Sequence, residues 1–329
     1  MSDRIRLGVI GCGGFARYHL NLIQAVNEFE VAGLCDPDPD QIETSKLAFP
    51  RYRDAPSFSH HQEMLTKVGL DAVLVCSPHT LHCGQVLDAF DSGLHVLVEK
   101  PLATSVTDCA RLIEARDTAG KVGAVSYQRH GSAQFTYVRD ILSTGRYGQV
   151  LALNSHLTQQ WLQLTRGTWR QMKSLSGGGQ INDSGSHMID ILLWMTDLRA
   201  KRVSAMMSSK GTEVDINSVV SIEFENGAFG SLTIVGDASM WHERHSIWLE
   251  KAAMLMEGDE VLVIEEDGRH IRVTNWPPSV TPDQNFADAI LGKAQVLAPF
   301  ECGLRTMELT EAAWRSAESD GTPVLVSST

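Results

Sequence analysis

Ile5-Arg6-Leu7-Gly8-Val9-Ile10-Gly11-Cys12-Gly13-Gly14-Phe15-Ala16 is the stretch that decides the fold of the first half of the chain. Ile5–Ile10 is a short apolar run of strand character, and a helix is expected to follow it through about Asn27. Gly11, Gly13 and Ala16 sit at the join and fit G-x-G-x-x-[GA]. In such a turn the first glycine permits the tight bend. The second lets backbone approach a pyrophosphate, and the last small residue lets helix pack on sheet. The helix N-terminus adds N–H groups and a partial positive charge. Gly11, Gly13, Gly14, Phe15 and Ala16 are therefore the expected phosphate-side contacts of a bound dinucleotide.

Working outward, Glu30–Cys35 reads as a second strand. Asp36 ends it, 20 residues after Ala16. An acidic residue there hydrogen-bonds the adenosine ribose hydroxyls. Asp38 and Asp40 follow, and no arginine lies between Asp36 and Arg51. A 2′-phosphate would meet carboxylates, so NAD is expected over NADP. An acidic turn with a helix cap is compatible with the same residues.

Strand and helix patterns keep alternating: Asp71–Cys76, Leu81–Asp91 with Gly93 as its stop, His95–Val98, Val106–Thr118 and Val122–Ser126. That alternation argues for a doubly wound parallel sheet, a Rossmann domain over residues 1–125. Beyond it the grammar changes. A helix is expected at Gln134–Ser143. Strands follow at Val150–Leu157, Arg202–Ser208, Ser218–Phe224, Phe229–Val235, Ser246–Glu250, Ala252–Glu257, Glu260–Glu265 and His270–Val273. Glu225-Asn226-Gly227 and Glu266-Asp267-Gly268 read as hairpin turns. Residues 126–329 are thus expected to form an α+β domain on a large, mostly antiparallel open sheet. Two late helices, about Asp283–Leu291 and Gly303–Ser319, are free to pack back on the first domain.

Composition narrows the function. The 329 residues are 43% hydrophobic and 21% charged, with net charge −12, enough apolar content for a sizeable core. No basic cluster suits nucleic acid. No run of about 18 apolar residues suggests a membrane span, and the start lacks a signal-peptide pattern. The six cysteines include no CxxC pair and read as reduced thiols, so a cytoplasmic protein is expected. His60-His61 and His242-Glu243-Arg244-His245 lack a metal-ligand pattern, and no metal is expected.

Gly177-Gly178-Gly179-Gln180-Ile181-Asn182-Asp183-Ser184-Gly185-Ser186-His187-Met188-Ile189-Asp190 precedes the apolar run Ile191-Leu192-Leu193-Trp194. If that run is helical, Asp183 and His187 lie on one face. A carboxylate beside an imidazole suits proton transfer near neutral pH. The plainer alternative is an Asp cap and a surface histidine. Asp190 either orients the imidazole or is a buried helix residue.

Together with Glu99-Lys100-Pro101 after a buried strand, these motifs make the chain resemble the Gfo/Idh/MocA oxidoreductases, the glucose–fructose oxidoreductase and inositol dehydrogenase group. The resemblance spans essentially the full length. It implies that Lys100 sits at the nicotinamide end of the site and that Lys100, Asp183 and His187 are catalytic. It implies that Ser77-Pro78-His79-Thr80-Leu81-His82 lines the nicotinamide side, with Ser77, Pro78, His79, His82, Glu99 and Lys100 as further cofactor contacts. His79 departs from the asparagine often found there. The implied activity is NAD-dependent dehydrogenation of a CH–OH group on a sugar, inositol or related polyol. The alternatives are an enzyme with a closed redox cycle, such as an NAD-using glycosidase or sugar-interconverting enzyme, and a non-catalytic NAD-dependent regulator. The resemblance also implies a homodimer or homotetramer paired through the open sheet. Tyr127, Arg129, His130, Trp169 and Arg170 are candidate substrate contacts. Arg129 serves equally well as an interdomain brace, and the loop tryptophans as packing for their own loop.

Overall fold

A computed structural model of the chain describes residues 4–327. It divides into two compact units. One comprises residues up to 103, 107–128 and 280–303, and the other comprises 104–106, 129–279 and those from 304 onward.

The first unit holds strands β1 (Ile5–Ile10), β2 (Phe29–Cys35), β3 (Ser57–Phe58), β4 (Ala72–Val75), β5 (His95–Val98) and β6 (Gly123–Val125). Helices α1 (Gly14–Ile23), α2 (Pro39–Ala48), α3 (His61–Lys67), α4 (His82–Asp91) and α5 (Val106–Ala119) connect them. The six strands are ordered β3-β2-β1-β4-β5-β6, and every pairing is parallel. Strands of this kind are apolar on both faces, and β4 is buried at all four positions. Strand order reverses between β1 and β4. In doubly wound sheets ligands bind at the carboxyl ends of strands where order reverses, and here those ends carry Gly11 and Ser77.

The second unit begins with α6 (Ala133–Ser143) and β7 (Val150–Thr158), followed by the short α7 (Trp161–Leu164) and α8 (Lys173–Ser176) and then α9 (Ser184–Thr196). Strands β8 (Ala200–Ser208), β9 (Asn217–Phe224), β10 (Phe229–Val235), β11 (His242–Leu249), β12 (Ala252–Glu257), β13 (Glu260–Glu265) and β14 (His270–Arg272) follow. Helix α10 (Pro282–Ile290) returns to the first unit, and α11 (Phe300–Glu318) and β15 (Val324–Leu325) finish the chain. The nine-stranded sheet runs β14-β13-β12-β11-β7-β10-β9-β8-β15. All its pairings are antiparallel except β7 with β10. One face packs on α9: Met188, Ile191 and Leu192 join Leu153, Val220, Leu232, Ile247 and Met254 in one core. Alternation along the strands leaves the other face open.

Three differences from the sequence expectation stand out, and two have local causes. Helix α2 buries only Ile42 and Ser45, so no apolar stripe marks it. It is signalled instead by Asp38, whose side chain accepts from Asp40 N–H, and by Pro39 in its first turn. Strand β11 starts at His242 and not Ser246, because polar side chains occupy both of its faces there: Arg244 is exposed while His245 is buried. Helix α1 ends at Ile23, four residues before Asn27.

Candidate active site

The nucleotide turn is built by backbone need and by open space. Gly11 has φ +86°, and a Cβ there would lie 2.7 Å from the Cys76 carbonyl carbon and 2.8 Å from Ser77 N. Only glycine suits both constraints. Gly13 and Gly14 differ, since a Cβ on either meets nothing within 4 Å. Gly13 is the N-cap of α1 and offers no side-chain cap, and the first turn has no acid. Ala16 is fully buried and Phe15 is exposed. Asp36 Oδ2 accepts from Cys12 N–H at 2.7 Å, and its Oδ1 accepts from Asp38 N–H at 2.9 Å. A carboxylate offers about four lone-pair sites, so acceptor capacity for ribose hydroxyls is left. An uncapped helix start, clear space above two glycines and a carboxylate at the next strand end together fit a dinucleotide. Arg17, absent from the sequence expectation, donates to the Cys12 carbonyl at 2.8 Å and steadies the turn.

The Lys100 loop lies in the same unit. Lys100-Pro101 is a cis peptide. Lys100 is buried, and its Nζ lies 5.8 Å from the Phe15 ring centroid, within reach of a cation–π contact. The Lys100 N–H donates to Glu99 Oε2 at 3.2 Å. His82 was expected to contact cofactor. It is instead fully buried, with Nδ1 2.8 Å from the Pro101 carbonyl and Nε2 3.0 Å from the Ser77 carbonyl. It joins the two loops as a brace. Burial pushes its pKa down against the two carbonyl contacts. Ser77 donates to Gln85 Oε1 at 2.6 Å, and buried His79 meets the His82 ring edge-on. Pro78 precedes the 3₁₀ turn His79–Leu81.

In the second unit, Asp183 occupies the N-cap position of α9 without using its side chain as a cap. Its Oδ2 accepts instead from Trp161 Nε1 at 2.9 Å and from Arg170 Nε at 3.1 Å. Arg170 in turn lies over the Trp169 ring, 4.5 Å from its centroid. His187 follows one helical turn later and stays half-buried. A charge-assisted anchor therefore holds the carboxylate, and the imidazole projects from the rigid start of the helix.

The glycine run answers to close packing within the second unit. Gly177 has φ +71°, and a Cβ there would lie 2.5 Å from Thr104. A Cβ on Gly178 would strike the Trp314 ring, and one on Gly179 the Asp215 backbone. Asp215 completes the seat by accepting from Gly179 N–H and Ile181 N–H, both at 2.9 Å. Burial pushes the Asp215 pKa up against these bonds. No local motif marks Asp215 as the partner of Gly179 or Trp161 as the partner of Asp183, because both act across long chain separations.

Other expected site residues are engaged inside their units. Tyr127 is buried in the first unit. Arg129 makes a two-pronged ion pair with Glu243, at 2.5 and 2.6 Å. His245 Nε2 lies 2.9 Å from the same Glu243 and Nδ1 2.7 Å from Ser155 Oγ. Arg129 is thus a brace within the second unit. Asp190 reaches His130 Nε2 at 2.8 Å, and the His130 ring stacks on Trp194. Asp190 orients His130, not His187.

Comparison with known proteins agrees with this architecture. Residues 5–127 match the family model described as "Oxidoreductase family, NAD-binding Rossmann fold", and residues 135–254 match the GFO/IDH/MocA C-terminal domain. D-glucoside 3-dehydrogenase of Escherichia coli is 24% identical over 97% of this chain and 97% of its own length. Inositol 2-dehydrogenase 3 of Saccharopolyspora erythraea is 29% identical over 68% of this chain and 64% of its own. Among solved structures, levoglucosan dehydrogenase with NADH and levoglucosan superposes with TM-score 0.88 at 20% identity, covering 99% of this chain and 100% of that one. The WlbA dehydrogenase of Bordetella pertussis with NADH and UDP-GlcNAcA gives 0.84 at 23%, covering 99% and 100%. At these identities the structures establish the fold.

Proposed function

The chain belongs to the Gfo/Idh/MocA family of NAD-binding oxidoreductases, and from that premise we propose that it passes a hydride between a secondary alcohol of a sugar, inositol or related polyol and NAD. The observation that carries the reading is Asp183. It stands at a helix start yet turns its carboxylate away from capping and onto Trp161 and Arg170, with His187 four residues on.

NAD, when bound, supplies the hydride-accepting nicotinamide carbon. Gly11, Gly13, Gly14 and the start of α1 hold its phosphates, and Asp36 its ribose. Ser77, Pro78 and His79 are proposed for the nicotinamide side. His187 takes the hydroxyl proton as the carbonyl forms. Being half-buried, it can then release that proton to water. The Lys100 ammonium donates a hydrogen bond to the same oxygen and stabilises its developing charge. Asp183 keeps the substrate or the imidazole in register, and Arg170 with Trp169 offers a donor and an aromatic face to a sugar ring. Arg129 and His130 drop out of the substrate set, because their polar groups serve Glu243 and Asp190.

The test is a screen of a methyl D-glucoside, myo-inositol, glucose 6-phosphate and levoglucosan with NAD and with NADP, read by net NAD(P)H formation. His187→Ala should lower turnover by about 10²–10⁴-fold with NAD binding retained. A fully active His187→Ala enzyme would remove the assignment. Substrate conversion without net NADH would point to the closed redox cycle, and activity with NADP alone would overturn the role of Asp36.

The same reading includes a cytoplasmic homodimer or homotetramer. Its support is the open sheet face, where Trp248 and Phe229 flank Ala152 in register and Met206 lies beside Val219. Met206 is 69% and Phe229 65% exposed. Apolar exposure on this scale marks an interaction surface. Light scattering at micromolar protein should give at least twice the 36.1 kDa chain mass.

A further inference from the structure

One buried group near Lys100 remains unused by the mechanism. His19 lies on α1 and is fully buried. Its Nδ1 lies 2.8 Å from Asp283 Oδ1 on α10, and its Nε2 lies 2.9 Å from Glu99 Oε1 at the end of β5. Ser126 Oγ, just past β6, stands 3.3 Å from the same Nε2. Four elements of the first unit thus converge on one imidazole ring.

Between two carboxylates the geometry favours a charged ring. A neutral imidazole carries one N–H, so one of its nitrogens would face a carboxylate oxygen lone pair to lone pair. An imidazolium donates to both. Desolvation opposes the charged ring, but the facing Asp283 and Glu99 carboxylates outweigh it and push His19 up to about 10. Glu99 moves the opposite way, held low by His19 and Lys100 against its burial. Among the other titratable neighbours, Tyr18 and Cys76 are pushed up by burial and by these same carboxylates, so both stay neutral near pH 7. The groups that face the ring are therefore the Asp283 and Glu99 carboxyls, with Lys100 next to Glu99 in the chain. Glu99 passes the constraint on, because its second oxygen holds the Lys100 N–H.

We propose that His19 is a positioning residue, an imidazolium at neutral pH that acts through Glu99 to fix the backbone and the charge balance of Lys100. This rests on the role given to Lys100 above. Without the imidazolium, two carboxylates would be buried together with only Lys100 to offset them. They would draw Lys100 out of place or take up a proton.

The experiment has two arms. In the first, ¹⁵N-imidazole-labelled wild-type protein is examined by NMR at about pH 9, where an unperturbed histidine is neutral. The resonance that vanishes in His19→Gln should show both nitrogens protonated. A neutral ring would overturn the proposal. In the second, His19→Gln should lose about 10²-fold in kcat, the scale of a misplaced reacting group, with NAD affinity and far-UV spectrum kept. Adding Asp283→Asn removes the surplus negative charge and should recover at least tenfold. A merely structural histidine predicts that the second substitution deepens the loss, and that result would also overturn the proposal. If His19→Gln fails to fold, Asp283→Asn alone should lower the pH at which His19 loses its proton, and an unchanged titration would refute the pairing. If wild-type protein turns over no sugar or polyol, the dehydrogenase reading fails, while the NMR arm still decides the charge of His19.

Discussion

Two glycine clusters look alike in the sequence and differ in what stands above them. At Gly13 and Gly14 an added Cβ meets open space, while at Gly177, Gly178 and Gly179 it meets Thr104, Trp314 and the Asp215 backbone. The first cluster keeps room for a ligand. The second lets one part of the protein lie hard against another, so that α9 starts where Asp183 can reach Trp161 and Arg170. A glycine-rich motif by itself therefore does not say whether the approaching partner is a cofactor or the protein's own chain.

The largest expected effect is at Gly179. Gly179→Ala drives a methyl group into backbone that cannot swing aside. The cost should exceed the roughly 1–3 kcal/mol of ordinary overpacking, seen as a large fall in the urea midpoint. A midpoint equal to wild type would break the comparison. Gly13→Ala should do the reverse. Its φ of −72° suits any residue, so stability of the ligand-free protein should stay within about 0.5 kcal/mol. NAD affinity should fall about tenfold, or ~1.4 kcal/mol, by calorimetry. Lost stability with intact NAD binding would reverse the two roles.

A third prediction separates local from long-range support within the first unit. His19 is raised from 6.5 to about 10 in the folded protein. Its contribution to stability is therefore complete below about pH 6.5 and is lost as pH rises through about 10. The gap in unfolding free energy between wild type and His19→Gln should narrow steadily across that window. A gap that widens with pH would give His19 the opposite sign.

Features written in short periods were legible. The alternation of β1, α1 and β2, the glycine turn, Asp36 at a strand end and the four-residue spacing of Asp183 and His187 all follow from local sequence. Helix α2 escaped notice because its packing gives it almost no apolar stripe, and the start of β11 because polar ion-pair residues fill it. The site's supports were harder to see. Trp161 and Asp183 stand 22 residues apart, Gly179 and Asp215 36, and His19 and Asp283 264. Arg129 and His130 looked available for substrate because nothing near them in sequence announces Glu243 or Asp190 as partners.

From sequence alone came the two-part architecture, the nucleotide turn and the residues able to move a proton. Backbone preference and hydrophobic period act over a few residues, so they can be read along the chain. Only the tertiary structure decided which carboxylate anchors to which donor, that β7 and β10 run parallel, that one glycine cluster is full and the other open, and that a histidine in α1 lies between two buried carboxyls. Those outcomes depend on which distant groups share a buried site. There the cost of leaving a charge or an N–H unpaired is high enough to select one partner.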